Sequence, residues 1–159
     1  MKNSMLSFTK EEIKLLNSLD TPAKIQDFLN EIPMNWKDGG PGSMKSPLMV
    51  MREWSAHCFE GALLGAYALS LHGYPPLLMH LEVTPDDDNH VVALFKDHGH
   101  YGALSKTNHA VLRYREPIYR TLRELAMSYF HEYFNRKYHK TLRSYSRTFD
   151  LRRVDPALW

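Results

Sequence analysis

The sequence predicts an α+β fold, with helices packed on one side of a small antiparallel sheet. Three observations carry that expectation. The first third holds two capped amphipathic segments; the middle holds three apolar runs separated by turns, with no helix between them; the last third holds one long amphipathic stretch.

Each element has a local cause. Thr9 followed by Glu12 is a capping-box pattern, and Ile13, Leu15, Leu16 and Leu19 supply an apolar stripe, so a helix is expected over residues 10–19. Thr21 before Pro22 places an N-cap ahead of a proline at the first helical position, and Ile25, Phe28 and Leu29 give the second helix a buried face. The stretch EIPMNWKDGGPGSMKSP, with three prolines and three glycines, reads as a surface loop anchored by Trp36. Ser55 is a candidate N-cap for a helix running to about Leu71, ended by Gly73 and the YPP turn. PLLMHLEV, HVVALF and YGALS are then strands, with TPDDDN and KDHGH as the turns between them. From Pro117 onward, Ile118, Leu122, Leu125, Ala126, Tyr129, Tyr133 and Phe134 mark an amphipathic helix. The tail TLRSYSRTFDLRRVDPALW is expected to add an edge strand or to lie over the surface.

With 159 residues, 43% hydrophobic and 12% aromatic, the chain suits one domain over 1–159. Within it we distinguish an N-terminal helical segment 1–32, a cysteine helix and sheet over 52–113, and a C-terminal helix with a basic tail over 114–159. A net charge of +2 from 20 basic and 18 acidic side chains supplies no strong field for a polyanion or a membrane surface. A single cysteine excludes an internal disulfide, and no apolar run suits a signal peptide or a membrane span. The expectation is a soluble, cytoplasmic protein.

That one thiol is the main functional clue. If Ser55 caps its helix, Cys58 falls at the third helical position, where unpaired backbone N–H groups and the positive end of the helix dipole favour a thiolate. The bland alternative is a small buried hydrophobe. Ala62, Gly65, Ala66 and Leu69 share its face, and residues this small let a helix come close to a sheet. His90 begins the second strand. If Asp97 and His98 form a two-residue turn, Lys96 faces Gly99 and Ser105 stands across from His90 on the same face. Cys58, His90 and Ser105 would then supply a nucleophile, a base and an orienting group for acyl transfer through a thioester. The Cys58 N–H could serve a developing oxyanion, with a second donor from the indole of Trp36 or of Trp54.

The segments HCFEGALLGAYALSLHGYPP, HVVALF and GHYGALS resemble the cysteine helix, the histidine strand and the following strand of the transglutaminase-like superfamily, relatives of the papain-like cysteine proteases. The resemblance covers roughly residues 45–106. It implies a transglutaminase-like or papain-like core and amide chemistry on a peptide or glutamine-type substrate: hydrolysis, deamidation or transfer to an amine. It implies no cofactor and no calcium. In that register Tyr101 takes the family's aromatic position and Ser105 stands where the family has an aspartate. Either Ser105 orients His90 without charge, or Asn108 acts as the third member, or the domain is catalytically silent and binds a protein partner.

Other constellations are weaker. Asp86, Asp87 and Asp88 with His98 and His100 could suggest a metal, but aspartate is common in turns for its own backbone bonds and no ligand spacing recurs. The basic tail, Arg136 to Arg153 with interleaved aromatics, reads as a solvated face rather than a nucleic-acid surface. Arg113, Arg115 and Glu116 form an ion network near the site or a bridge between the sheet and the last helix. Nothing in the sequence bears on oligomeric state.

Overall fold

A computed structural model describes residues 7–36 and 44–155 of the chain. Helices α1 (Lys10–Ser18), α2 (Pro22–Glu31), α3 (Pro47–Glu53) and α4 (Cys58–Leu71) precede strands β1 (Leu77–Val83), β2 (His90–Asp97), β3 (His100–Leu104) and β4 (Arg115–Tyr119). Helix α5 (Leu122–Phe130), strands β5 (Leu142–Tyr145) and β6 (Phe149–Asp150) and a 3-10 turn (Leu151–Arg153) complete the order. The strands pair antiparallel in the order β4-β3-β2-β1-β5, with β6 also on β1, so the fold is α+β as expected. No helix among the described residues is long and apolar enough to cross a membrane.

The caps of the first two helices form as their sequences dictate. Thr9 and Glu12 close a reciprocal capping box, and the Thr21 hydroxyl accepts from the Lys24 N–H ahead of a helix opened by Pro22. The stretch from Glu31 to Pro47 is less uniform than a loop. Ser46 caps α3 with Pro47 at its first position, repeating the Thr21–Pro22 signal. Residues 37–43 of that stretch lie outside the described residues.

Ser55 does not cap α4. Met34 and Ala56 form a short parallel bridge, in which the Ala56 N–H donates to the Pro33 carbonyl at 3.1 Å and the Asn35 N–H to the Ala56 carbonyl at 3.1 Å. With its backbone held there, the helix starts two residues later, with His57 as N-cap and Cys58 as the first helical residue rather than the third. Trp54 takes the left-handed conformation, φ 49°, that turns the chain out of α3.

The sheet is covered on both faces, not one. Leu78, Ala93, Phe95 and Leu104 pack with α1, α2 and α4, while Met79, Leu81, Val92, Leu94 and Ala103 pack with Leu125, Ala126 and Tyr129 of α5. This double burial explains why HVVALF reads as an almost unbroken apolar run. Gly61 and Gly65 bring α4 against the sheet: a Cβ on Gly61 would stand 2.3 Å from Lys106 Cβ, and one on Gly65 3.1 Å from Leu104 Cδ1.

Two expectations about the second half are corrected. The segment from Pro117 to Tyr119 belongs to β4, not to a helix; Ile118 is solvent-exposed there, and α5 begins only after Thr121, whose hydroxyl accepts from the Glu124 N–H at 3.1 Å. β4 is an edge strand, where a proline's missing N–H is tolerated. The helix also ends early, at Phe130, leaving Tyr133 and Phe134 beyond it. In the β2–β3 hairpin Asp97 pairs with His100, so the turn residues are His98 and Gly99, both at positive φ (45° and 82°), as a tight primed turn requires. The register is therefore displaced by two residues from the expected one. The tail supplies β5 as an edge strand.

Candidate functional site

Because a two-residue displacement keeps every side chain on its face, His90 and Ser105 still meet, as diagonal rather than direct neighbours. His90 Nε2 lies 2.8 Å from Ser105 Oγ, and both residues are buried. The serine is itself anchored. Its N–H donates to Gln26 Oε1 at 2.8 Å, its carbonyl accepts from Gln26 Nε2 at 2.9 Å, and its hydroxyl donates to the Leu112 carbonyl at 2.5 Å.

A hydroxyl has one proton to give. With that proton committed to Leu112, Ser105 Oγ acts toward His90 as an acceptor, so His90 donates from Nε2 and keeps the Nδ1 lone pair. The Cys58 thiol shares a cavity with His90, and the His90 side chain is among the groups that lower its pKa. The Leu112 carbonyl is aimed by a left-handed backbone, φ 61°, and the Leu112 N–H donates to Glu132 Oε2 at 3.2 Å. Glu132 in turn pairs with Arg115 at 2.5 Å, and the guanidinium lies 4.1 Å from the centre of the Tyr129 ring. Arg115 thus bridges the sheet to the segment after α5, while Arg113 reaches Asn30 at 3.4 Å and Glu116 accepts from the Tyr114 hydroxyl at 3.5 Å.

Cys58 is half-buried at the start of α4. Burial pushes its thiol pKa up, but hydrogen bonds from His57 and His90, the His90 charge and the Val91 N–H outweigh it and hold the value at about 6. A thiol held that low gives up its proton more readily than an ordinary cysteine, and the thiolate is the nucleophilic form. The sulfur also stands 4.0 Å from the Asn89 carbonyl.

The sequence reading missed His57 and Glu60. Glu60, at the third position of α4, is fully buried; its carboxylate accepts from the His57 N–H at 3.0 Å, the Lys45 N–H at 3.0 Å and Asn35 Nδ2 at 3.4 Å. His57 Nδ1 accepts from the Phe59 N–H at 3.3 Å, and its Nε2 lies 3.5 Å from Glu60 Oε1. The spacing of an N-cap and a glutamate three residues on was the available signal, obscured because histidine is an unusual cap.

These side chains open into a cavity of about 750 Å³ lined by His57, Cys58, His90, Lys106, Asn108, Tyr133 and Trp36 among others. Asn108 is exposed at its rim, and the partner of His90 Nε2 is Ser105. Trp36, 69% exposed, stands at the lip, whereas Trp54 packs edge-on against Phe28 with ring centres 5.5 Å apart and is not part of the lining. Lys106 turns away from the cysteine: its ammonium donates to the Ile32 carbonyl at the C-terminal end of α2 at 2.5 Å, and burial, then the charge of Arg113, lower its pKa.

The aspartate turn and the histidine pair stand at opposite ends of β2. Asp86 accepts from Asn135 Nδ2 at 2.8 Å and Asp87 from the Thr141 hydroxyl at 2.5 Å, and no group of three or more His, Cys, Asp or Glu side chains suited to a metal occurs among the described residues.

No family model matches the chain, and no curated protein matches it in sequence. Among solved structures it is similar to Legionella pneumophila LapG, at 16% identity and a TM-score of 0.49 over 64% of this chain and 63% of that one. The calcium-bound form of LapG gives 16% identity and 0.49 over 65% and 63%, and the EGTA-treated form 18% and 0.47 over 63% and 61%. The chain thus spans less than two thirds of the LapG chains it matches.

Proposed function

We propose that this protein is a cysteine-dependent enzyme acting on amides, with a transglutaminase-like core and a peptide or protein as substrate. The observation that carries the reading is the proton arrangement at Ser105. A serine whose own proton goes to the Leu112 carbonyl fixes His90 in the Nε2–H form and leaves Nδ1 as the base for Cys58. An uncharged group thereby does the orienting that the family assigns to an aspartate.

The steps follow from these atoms. His90 Nδ1 takes the thiol proton; the sulfur attacks the amide carbon, forming the S–C bond as the carbonyl pair moves onto oxygen. The Cys58 N–H, at the positive end of α4, would donate to that oxyanion, with the Trp36 indole at the lip as a candidate second donor. Collapse breaks the C–N bond, and the amine leaves with the proton from His90. Water then opens the thioester to an acid, or an amine opens it to a new amide. Asn108, at the rim, is left with a place in substrate contact.

The test combines alkylation with turnover. Iodoacetamide should react at a rate that is flat above pH 6 and falls about tenfold per unit below it, because only the thiolate attacks. His90→Ala should slow alkylation at neutral pH by about tenfold. A peptide pool read by mass spectrometry should show cleaved, deamidated or amine-coupled products that Cys58→Ala abolishes. An ordinary thiol profile, unchanged by His90→Ala, would return the domain to a silent protein-binding role, the reading the serine at the family's aspartate position otherwise favours.

A further inference from the structure

We propose that the groove at the N-terminal end of α5 is a second binding site, separate from the cysteine cavity, for a small molecule carrying a chain of phosphoryl groups. The groove holds about 610 Å³ and is lined by Lys96, Arg120, Arg123 and Arg147, with Tyr101 and Tyr145 beside them and no aspartate or glutamate. Sheet register builds its floor. Tyr101 packs against the core under α5, Lys96 is its cross-strand partner, and Tyr145 is the partner of Leu81 in the same core, so all three stand on the α5 face of the sheet. Arg120 and Arg123 flank Thr121, the N-cap of α5, where the positive end of the helix dipole adds to their charge. None of the groove's lining residues lines the cysteine cavity, and Lys96 and His90 stand toward opposite ends of β2, roughly 20 Å apart at the rise of a strand.

The four cations lack counter-charges. Among the described residues none of them forms an ion pair, whereas Arg52, Arg115 and Arg152 each have a carboxylate. Lys96 lies over the Tyr101 ring, 4.7 Å from its centre, which holds the ammonium without neutralising it. Carboxylates on the surrounding elements are turned elsewhere: Glu124 accepts from the Arg120 backbone N–H at 2.7 Å, Glu82 accepts from the Ser144 hydroxyl, and Asp97 lies 2.8 Å from His98 Nδ1. Like charges collected in one groove repel each other, and a bound anion relieves that repulsion. The net charge of +2 conceals this local segregation, and it favours a compact ligand over a long polyanion, which needs a positive field beyond the groove. The volume is in the range of small-molecule sites. Guanidinium forks match phosphate oxygens in pairs, and a phosphate chain concentrates several negative charges within one groove, where a peptide carboxylate brings one.

Calorimetric titration of the full chain at low salt should find one site for tripolyphosphate and for adenosine triphosphate, each bound at least about tenfold more tightly than inorganic phosphate. Arg123→Gln and Arg147→Gln should each weaken tripolyphosphate binding about tenfold, the size of one lost charge-assisted hydrogen bond, with the melts of the unliganded variants unchanged. Arg136→Gln, at an exposed arginine outside the groove, should leave the affinity as it was. Equal affinities for the two ligands would support the proposal and assign recognition to the phosphate chain alone. A tighter nucleotide, brought back to the tripolyphosphate level by Tyr145→Leu, would support it and add the tyrosine floor as a seat for the organic part. Absence of tripolyphosphate binding, equal weakening by Arg136→Gln, or binding confined to single-stranded oligonucleotides with affinity rising with their length would overturn it. None of these readouts involves Cys58, so the result is independent of the thiol chemistry proposed above.

Discussion

Helices α4 and α5 cover opposite faces of one sheet with opposite kinds of sequence. Of the 14 residues of α4, nine are buried, from Glu60 to Leu69, because α1, α2 and α3 enclose it on the side away from the sheet. Of the nine residues of α5, only Leu125, Ala126 and Tyr129 are buried, and its far side faces water. An enclosed helix has no polar face to keep, so it can give up side-chain volume where approach matters; Gly61 and Gly65 do so, and the start of α4 comes to rest beside His90. A helix with a solvent face can only cover. The influence of α5 on the site is indirect, through Glu132 beyond its end, which holds Arg115 and the Leu112 N–H.

Three substitutions break or sharpen that contrast, in falling order of effect. Gly61→Ala sets a methyl 2.3 Å from Lys106 Cβ, close to the backbone where little can give. It should cost about 3 kcal/mol in denaturant unfolding and, by lifting α4 off the sheet, return the thiol toward ordinary behaviour. Leu125→Ala empties the core under α5; it should cost about 2.5 kcal/mol, yet leave the alkylation profile of Cys58 where it was. A profile that shifted with Leu125→Ala would mean that the two faces share one site. Thr121→Ala removes only the N-cap of α5 and should lower stability by about 1 kcal/mol, readable as a drop of a few degrees in the melt.

The same contrast marks what could be read from sequence. The caps at Thr9 and Thr21 and the three strands of the meander depend on neighbours in the chain, and they form where the local chemistry put them. Helix α3 carries the same cap-and-proline signal at Ser46 and Pro47 but follows a run of glycines and prolines that reads as loop. Strand β4 was misread because the apolar spacing from Ile118 continues across Thr121 in helical phase; pairing with β3 overrides it. In the site, the residue types at Cys58, His90 and Ser105 were visible and their shared face survived an error of two in register. The parts that depend on distant backbone were not legible: the left-handed Leu112 that receives the serine proton, and the Ala56 bridge that moves the cap from Ser55 to His57.

The proline in β4 has a consequence beyond its own strand. A sheet built by a meander leaves two open rims, and each row of unused N–H and C=O groups invites another chain to join it. At one rim Pro117 removes a donor from the middle of β4, between the charged pair Arg115–Glu116 and a strand end only two residues on; at the other, β5 is four residues long and carries Arg143. Both rims are poor templates for a foreign strand. A protein whose interior strand is as apolar as HVVALF is thereby protected from edge-to-edge aggregation.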